Sequence, residues 1–303
     1  LVIALGSRFD DRTTGNVSKY APKAFEAAKK GKGGIIHVNI EESELNFVVD
    51  SHYNFNTDCT TFLKGIIPFI EFKKRIKWLN YINNLKIWYP FLLKKHDYLL
   101  HMEDVLDVFN RKTMTKDVIF TTGVGNHQMQ AYQFIKSQYP KKILSSGSLG
   151  VMGAGLPYSI GAQIANPDKM IINIDGDSSF NMTMSDLKTI RENDLPIKIA
   201  IMNNNAQMMV TIWEKLFFNE RYTATINSNN PDYRELGNSF GIKSITCKHR
   251  NELESKIDYF IKYRGPILCE FNIERDICLP LVKPGCALDD MLLPESQSGK
   301  NNN

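Results

Sequence analysis

Two polar clusters, each closing an apolar run, carry the residue types from which a cation site is built. Ile174-Asp175-Gly176-Asp177-Ser178 ends one run and Asn203-Asn204 ends the next, with 26 residues between Asp177 and Asn204. If both runs are parallel strands, both clusters lie at carboxyl ends, where open α/β sheets bind ligands. Asp177 offers a carboxylate and Asn204 an amide oxygen, hard donors that suit magnesium. Gly176 lets backbone approach a ligand closely. The stretch entered through Phe180-Asn181-Met182-Thr183 reads as a helix whose first amides can face a phosphate. A diphosphate clamped by magnesium is the natural occupant. The bland alternative is two strand-end turns, since Asp, Gly and Asn are common turn residues.

The elements that must position these clusters alternate in type. Strand-like Leu1–Leu5 and Gly34–Ile40 flank a helical stretch at Ala21–Lys30, the rhythm of a parallel sheet. From Phe62 to Leu100 the chain turns aromatic and basic, and Trp78 to Phe91 reads as a connecting helix. A second α/β run follows. Its strands are read at Asp117–Thr121, Lys142–Ser145, Met170–Ile174, Ile197–Met202, Ser244–Cys247 and Ile267–Asn272. Its helices are read at Gln128–Ser137, Leu156–Ala165, Met184–Asn193, Asp232–Phe240 and Glu252–Tyr263. A glycine-dense loop, Gly147–Gly155, precedes the second helix, and the tail beyond Pro280 reads as loop. The fold class is α/β with parallel sheets.

The chain has 303 residues, 43% of them hydrophobic, and a formal charge of +4. That length carries one large or two medium domains. Its basic runs, Lys29-Lys30-Gly31-Lys32 and Lys73-Lys74-Arg75, have acidic neighbours, so no nucleic-acid partner is expected. The five cysteines form no Cys-x-x-Cys and read as reduced thiols. No apolar run approaches the roughly 18 residues of a membrane span. A buried-type strand opens the chain at Leu1, which reads as a segment cut from something longer.

Longer matches lie around the cation motif. The Gly-Asp to Asn-Asn interval resembles that of thiamine-diphosphate enzymes. Thr121-Thr122-Gly123-Val124-Gly125-Asn126-His127-Gln128-Met129 is similar to the Thr-Thr-Gly-Val-Gly-Gln-His-Gln-Met of acetohydroxyacid synthase (acetolactate synthase) catalytic subunits. Ser146 through Pro157 resembles their glycine-rich loop, and Gln207 through Trp213 resembles the helix after their Asn-Asn. Gly6 through Gly15 looks like a segment of their central FAD-binding domain. The resemblance spans nearly the whole chain, is weakest over Phe62–Met114, and looks closest to the fungal form.

Carried over position by position, the resemblance implies that Asp177 and Asn204 hold magnesium through their side chains and Ala206 through its carbonyl. Val124, Gly125, Asn126, His127, Gly176, Asp177, Ser178 and Ser179 would contact the diphosphate. Gly150 would meet the aminopyrimidine and Met152 would prop the cofactor's bent shape. Gln207, Met209 and Val210 would complete the cofactor contacts near the thiazolium, while Arg12 and Trp213 would face substrate. FAD would lie against Gly6, Ser7, Arg8, Asn39, Ile40, Asp58 and Cys59. Met152, Met209 and Trp213 could equally be core, as Met and Trp at helical spacing usually are, and His127 could be a helix cap.

Several positions depart from the pattern. Asn126 replaces a Gln, Ala206 and Met208 replace Glu and Gly, Asn39 stands where the family has Glu, and Ser148 replaces a glycine. The glutamate that activates the cofactor belongs to an N-terminal domain outside these residues, so no catalytic side chain is expected here. The implied division is the end of a six-stranded FAD-binding domain at 1–65, a helical linker at 66–112, a thiamine-diphosphate domain at 113–290 and a tail at 291–303. The implied activity is decarboxylating condensation of pyruvate with pyruvate or 2-oxobutanoate, the first common step toward valine, leucine and isoleucine. The implied assembly is a homodimer or homotetramer with a regulatory subunit, mitochondrial in a fungus and plastid or cytoplasmic otherwise. Another thiamine-diphosphate decarboxylase or oxidase, and a non-catalytic remnant, are the competing readings.

Overall fold

The computed structural model describes residues 1–89, 98–137 and 139–293. The end expected for the connecting helix at Phe91, and the tail beyond 293, lie outside them. The chain divides into two compact units, Leu1–Phe91 with Leu279–Asn303, and Leu92–Cys278.

The first unit carries a three-stranded parallel sheet in the order β1 (Val2–Leu5), β2 (Ile35–Asn39), β3 (Tyr53–Asn56). Ala4, Phe9, Ala24, Ile35 and Val49 form its small core. The helix Pro22–Lys29 starts with proline, whose missing amide is harmless in a first turn. The helix Cys59–Ile66 is capped by Asp58, which accepts from the amides of Thr60 and Thr61. The connecting helix runs Ile76–Trp88 and buries none of its residues. The tail read as loop contains a short antiparallel pair, β10 (Leu281–Val282) with β11 (Met291–Leu292).

The second unit is a six-stranded, all-parallel sheet. Its strands are β4 (Val118–Thr122), β5 (Ile143–Ser145), β6 (Met170–Gly176), β7 (Lys198–Asn203), β8 (Lys243–Cys247) and β9 (Ile267–Asn272), in the spatial order β5-β4-β6-β7-β9-β8. Both faces are covered. Val118, Phe120, Ile172, Ile174, Ala200, Met202, Cys269 and Phe271 point to one side, against Val105, Phe109, Ala131, Ile257 and Phe260 of three helices. Ile119, Ile171, Ile199, Ile201 and Leu268 point to the other, against Leu156, Ala162, Leu187, Ile190 and Tyr233. A strand buried on both faces has no polar alternation, which is why β7 is buried at all six positions.

The helix Met102–Thr113, assigned by sequence to the linker, is part of this core through Val105, Leu106 and Phe109. The helix expected over Met184–Asn193 is a 3-10 turn, Met184–Asp186, followed by Leu187–Glu192. The helical turn that follows the cation motif starts at Asp177 itself and ends at Phe180.

Candidate cofactor-binding cleft

From β4 the chain moves outward to β5 and then returns to place β6 on the opposite side of β4. Such a reversal leaves a crevice at the carboxyl ends of the two central strands. The loops leaving β4, β5, β6 and β7 line a cleft there of about 430 Å3, counting its open mouth. Val124, Gly125, Asn126 and His127 come from the first loop and Met152 from the second. Gly176, Asp177, Ser178 and Ser179 come from the third, and Asn204, Ala206, Gln207, Met209 and Val210 from the fourth. Met102, Met202 and Met208 complete the wall; of these only Met208 stands out in the sequence, as a departure from the family pattern.

Asp177 is 1% exposed. Burial pushes its carboxyl above the ordinary range, opposed by hydrogen bonds from the Asn227 and Asn230 amides. A buried carboxylate in this position favours an arriving cation, because pairing is what lets a charge remain buried. Asn204 is also buried, and its Oδ1 accepts from the Ala206 amide at 3.2 Å. Asn205, between them, takes a left-handed φ of 53°, a conformation that asparagine tolerates better than most residues. The turn is gripped from outside by Arg275, whose guanidinium donates to the Asn204 carbonyl at 2.9 Å and the Asn205 carbonyl at 3.2 Å. Among the described residues no group of three or more His, Cys, Asp or Glu side chains lies together as a metal site. A cation here depends on one carboxylate, one amide oxygen and backbone, a set that suits magnesium.

The other wall fits an anion. The helix Asn126–Phe134 begins from Gly125, which has no side chain to cap it, so its first amides have no capping acceptor. Two polar atoms of the first residues of this helix, Asn126 Oδ1 and His127 Nε2, are buried without a hydrogen-bond partner. His127 Nε2 lies 3.4 Å from Asp175 Oδ1, close but not aligned as a hydrogen bond.

The glycines are required by packing. A Cβ on Gly123 would fall 2.0 Å from Asp175 Oδ1, one on Gly176 2.8 Å from His127 Nδ1, and one on Gly155 2.4 Å from the Gly123 amide. The glycine loop is tied to the third loop by the Gly153 amide donating to Ser179 Oγ at 2.8 Å and by Thr183 Oγ1 donating to the Gly153 carbonyl at 2.8 Å.

Two expected residues do not line the cleft. Gly150 takes φ +70°, and a Cβ there would lie 3.8 Å from Cγ1 of the lining residue Val124. Trp213, on the helix Met208–Phe217, is half-buried and tilts against Phe217 with ring centroids 5.1 Å apart. Met209, from the same helix, lines the cleft, whereas Trp213, four residues further on, does not.

In the first unit, Gly6, Ser7 and Arg8 follow β1, Asn39 and Ile40 close β2, and Asp58 and Cys59 follow β3. The three carboxyl ends converge. Asn39 Nδ2 donates to the Ser7 carbonyl at 3.2 Å, and a Cβ on Gly6 would lie 3.7 Å from Cys59 Sγ. Asn39 and Asp58 direct their side chains into this framework, while Arg8 is exposed and pairs with Asp10 at 3.1 Å. Arg12 is exposed in the helical turn Asp11–Thr14.

Sequence reading missed Asn227, Asn230 and Arg275. All three lie in segments without periodicity, and nothing local marks them as neighbours of Asp177 or Asn204.

Residues 123–271 match the family described as thiamine pyrophosphate enzyme, C-terminal TPP binding domain. The chain is 40% identical over 298 residues to the acetolactate synthase catalytic subunit, mitochondrial, of Saccharomyces cerevisiae, covering 96% of this chain and 43% of that protein. It is 40% identical over 306 residues to the acetolactate synthase, mitochondrial, of Schizosaccharomyces pombe, covering 98% and 46%. To the acetolactate synthase isozyme 2 large subunit of Escherichia coli it is 33% identical over 307 residues, covering 96% and 51%. The chain spans about half the length of the curated relatives it matches. A cleft at the sheet's reversal, lined by the same loops that carry the matched motifs, agrees with these similarities: residues 123–271 belong to the thiamine pyrophosphate enzymes as their C-terminal TPP binding domain, in a chain homologous over nearly its whole length to acetolactate synthase catalytic subunits.

Proposed function

We propose that this chain is part of an acetolactate synthase catalytic subunit, which condenses pyruvate with a second pyruvate or with 2-oxobutanoate and releases carbon dioxide. The observation that carries this reading is the cleft itself. Asp177 and Asn204, just past the ends of separate strands, both line it, together with the uncapped helix start at Asn126. Thiamine diphosphate with magnesium supplies the nucleophile and the electron sink that such a decarboxylation needs.

The chain's own residues bind and orient. Asp177, Asn204 and the Ala206 carbonyl would hold the cation, and the amides around Asn126 and His127 would take the diphosphate. Met152, Met209 and Val210 give an apolar wall for the ring system. Gly150 and Trp213 are assigned to cofactor and substrate by resemblance, with Trp213 reaching substrate from outside the described cleft. Arg12 is assigned to substrate in the same way. For FAD, the convergence of Gly6, Ser7, Arg8, Asn39, Ile40, Asp58 and Cys59 at one sheet edge supports a nucleotide-binding role. Dimeric or tetrameric assembly, a regulatory partner and a mitochondrial location belong to the same proposal; the fungal relatives are named as mitochondrial.

The test is acetolactate formation by the full-length gene product with pyruvate, thiamine diphosphate and Mg2+. Turnover that requires both additions supports the assignment. A fully assembled protein that binds both and decarboxylates pyruvate without forming acetolactate would place it with another thiamine-diphosphate enzyme.

A further inference from the structure

The donors around Asp177 divide its two oxygens unequally. Asn227 Nδ2 donates to Oδ2 at 2.8 Å and Asn230 Nδ2 donates to the same oxygen at 2.7 Å. No described side chain donates to Oδ1, and the backbone amides of Asp177 and Ser178 also favour the ionised carboxylate. An ionised carboxylate offers about four lone-pair directions, so two donors saturating one oxygen fix the plane of the group and leave the other oxygen for a different partner.

Both asparagines are themselves held. Asn230 Oδ1 accepts from Asn181 Nδ2 at 3.0 Å, and Asn181 Oδ1 accepts from the Tyr233 hydroxyl at 2.9 Å. The Asn230 amide also reaches Asn205 Oδ1 at 3.1 Å and Asn203 Oδ1 at 3.3 Å. Asn227 Nδ2 contacts Ser178 Oγ at 2.6 Å, and its backbone amide donates to the Asn205 carbonyl at 2.9 Å.

The same stretch reaches the other half of the donor set through its backbone. Ile226 forms an antiparallel bridge with Ala206, and the Gln207 amide donates to the Thr225 carbonyl at 2.8 Å. One short segment, Thr225–Asn230, therefore touches Asp177 by side chains and the Asn204–Ala206 turn by main chain.

We propose that Asn227 and Asn230 are positioning residues of the cation site, clamping Oδ2 of Asp177 so that Oδ1 alone is offered to the ion. This rests on the reading of Asp177 as a magnesium ligand. A carboxylate bound through one oxygen while the other accepts hydrogen bonds keeps its orientation on ion exchange, and outer donors of this kind typically change metal affinity by about ten- to a hundredfold.

The experiment uses the full-length protein with Asn227→Ala, Asn230→Ala, the double substitution and Asp177→Ala. Calorimetric binding of thiamine diphosphate is measured across a Mg2+ titration, and electron paramagnetic resonance follows bound Mn2+. Melting temperature without cation reports on the fold. Each single substitution should raise the Mg2+ needed for half-maximal cofactor binding by about tenfold or more. Excess Mg2+ should relieve the loss, and the bound-Mn2+ spectrum should broaden. Should Asn230→Ala fail to fold, Asn227→Ala, at a half-buried position, carries the test. Unchanged Mg2+ dependence in the asparagine variants, with Asp177→Ala losing cofactor binding, overturns the clamp and leaves the cation site standing. Unchanged binding in Asp177→Ala overturns both.

Discussion

Asp177 is held in a charged-group environment that it cannot satisfy alone. It is buried, its carboxyl is pushed up by that burial, and the two side-chain amides among the groups that oppose the shift meet only one of its oxygens. Asp177→Ala should therefore lower Mg2+-dependent affinity for thiamine diphosphate by more than about a hundredfold, measured by calorimetry on the full-length protein. Retained affinity would remove the cation assignment. Trp213 poses a different question, because it is half-buried and packs on Phe217 away from the cleft. If it reaches substrate as the resemblance implies, Trp213→Leu should reduce the preference for 2-oxobutanoate over pyruvate by roughly tenfold, the size of one lost methyl contact. Competition between the two acceptors, with melting temperature alongside, decides it: a large fall in melting temperature with an unchanged product ratio would make Trp213 a packing residue. Asp177 and Asn204 were legible as a pair because each closes an apolar run at a definite interval. Asn227 and Asn230 were not, since they bond Asp177 from 50 and 53 residues away and sit in a loop without pattern.

At the scale of elements, the strands buried on both faces were read from their continuous apolar runs, and Ile267–Asn272 was read to the residue. The strand Tyr53–Asn56 was missed because all four of its residues are exposed and half are asparagine, so neither alternation nor an apolar run marks it. Close contact between elements makes two further expectations concrete. The start of the helix Gly155–Ala165 lies so near β6 that a Cβ at Gly155 would sit 2.7 Å from both Asn173 Oδ1 and Asp175 Oδ2. Gly155→Ala should destabilise the fold by about 1–3 kcal/mol, seen as a lowered urea midpoint. At the opposite end of the sheet, burial holds the Lys198 ammonium down to about 8, although it donates to the carbonyls of Tyr263 at 2.6 Å and Gly265 at 2.8 Å. The folded state thus gives up a proton that the unfolded chain keeps until the ordinary lysine value of 10.5. Stability owed to this group rises with pH between those two values, by about 3 kcal/mol at most. Urea unfolding at pH 7.5 and at about pH 10 should show that rise in the parent relative to Lys198→Met; parallel pH dependence in the two proteins would show that Lys198 keeps its charge in the fold.

At the scale of the whole molecule, the chain covers 43–51% of the relatives compared above. The resemblance implies an activating glutamate outside these residues. Purified residues 1–303 should therefore make no acetolactate above a no-protein control even when folded, and turnover by that species would show that activation needs nothing beyond it. The order of the large sheet carries a consequence for how such a chain is made. Among the described strands β8 bonds only to β9, and β9 sits between β7 and β8. A chain emerging from the ribosome has β7 ready long before its neighbour exists, so the unpaired backbone edge of this apolar strand stays open until Ile267–Asn272 has been synthesised and slides into the gap. An open apolar edge of that kind is where chains stick to one another. Synthesis arrested just before Ile267 should accordingly yield aggregates, and release just after Asn272 should yield a closed sheet; equal solubility of the two products would mean that β7 is protected by something other than its final partner.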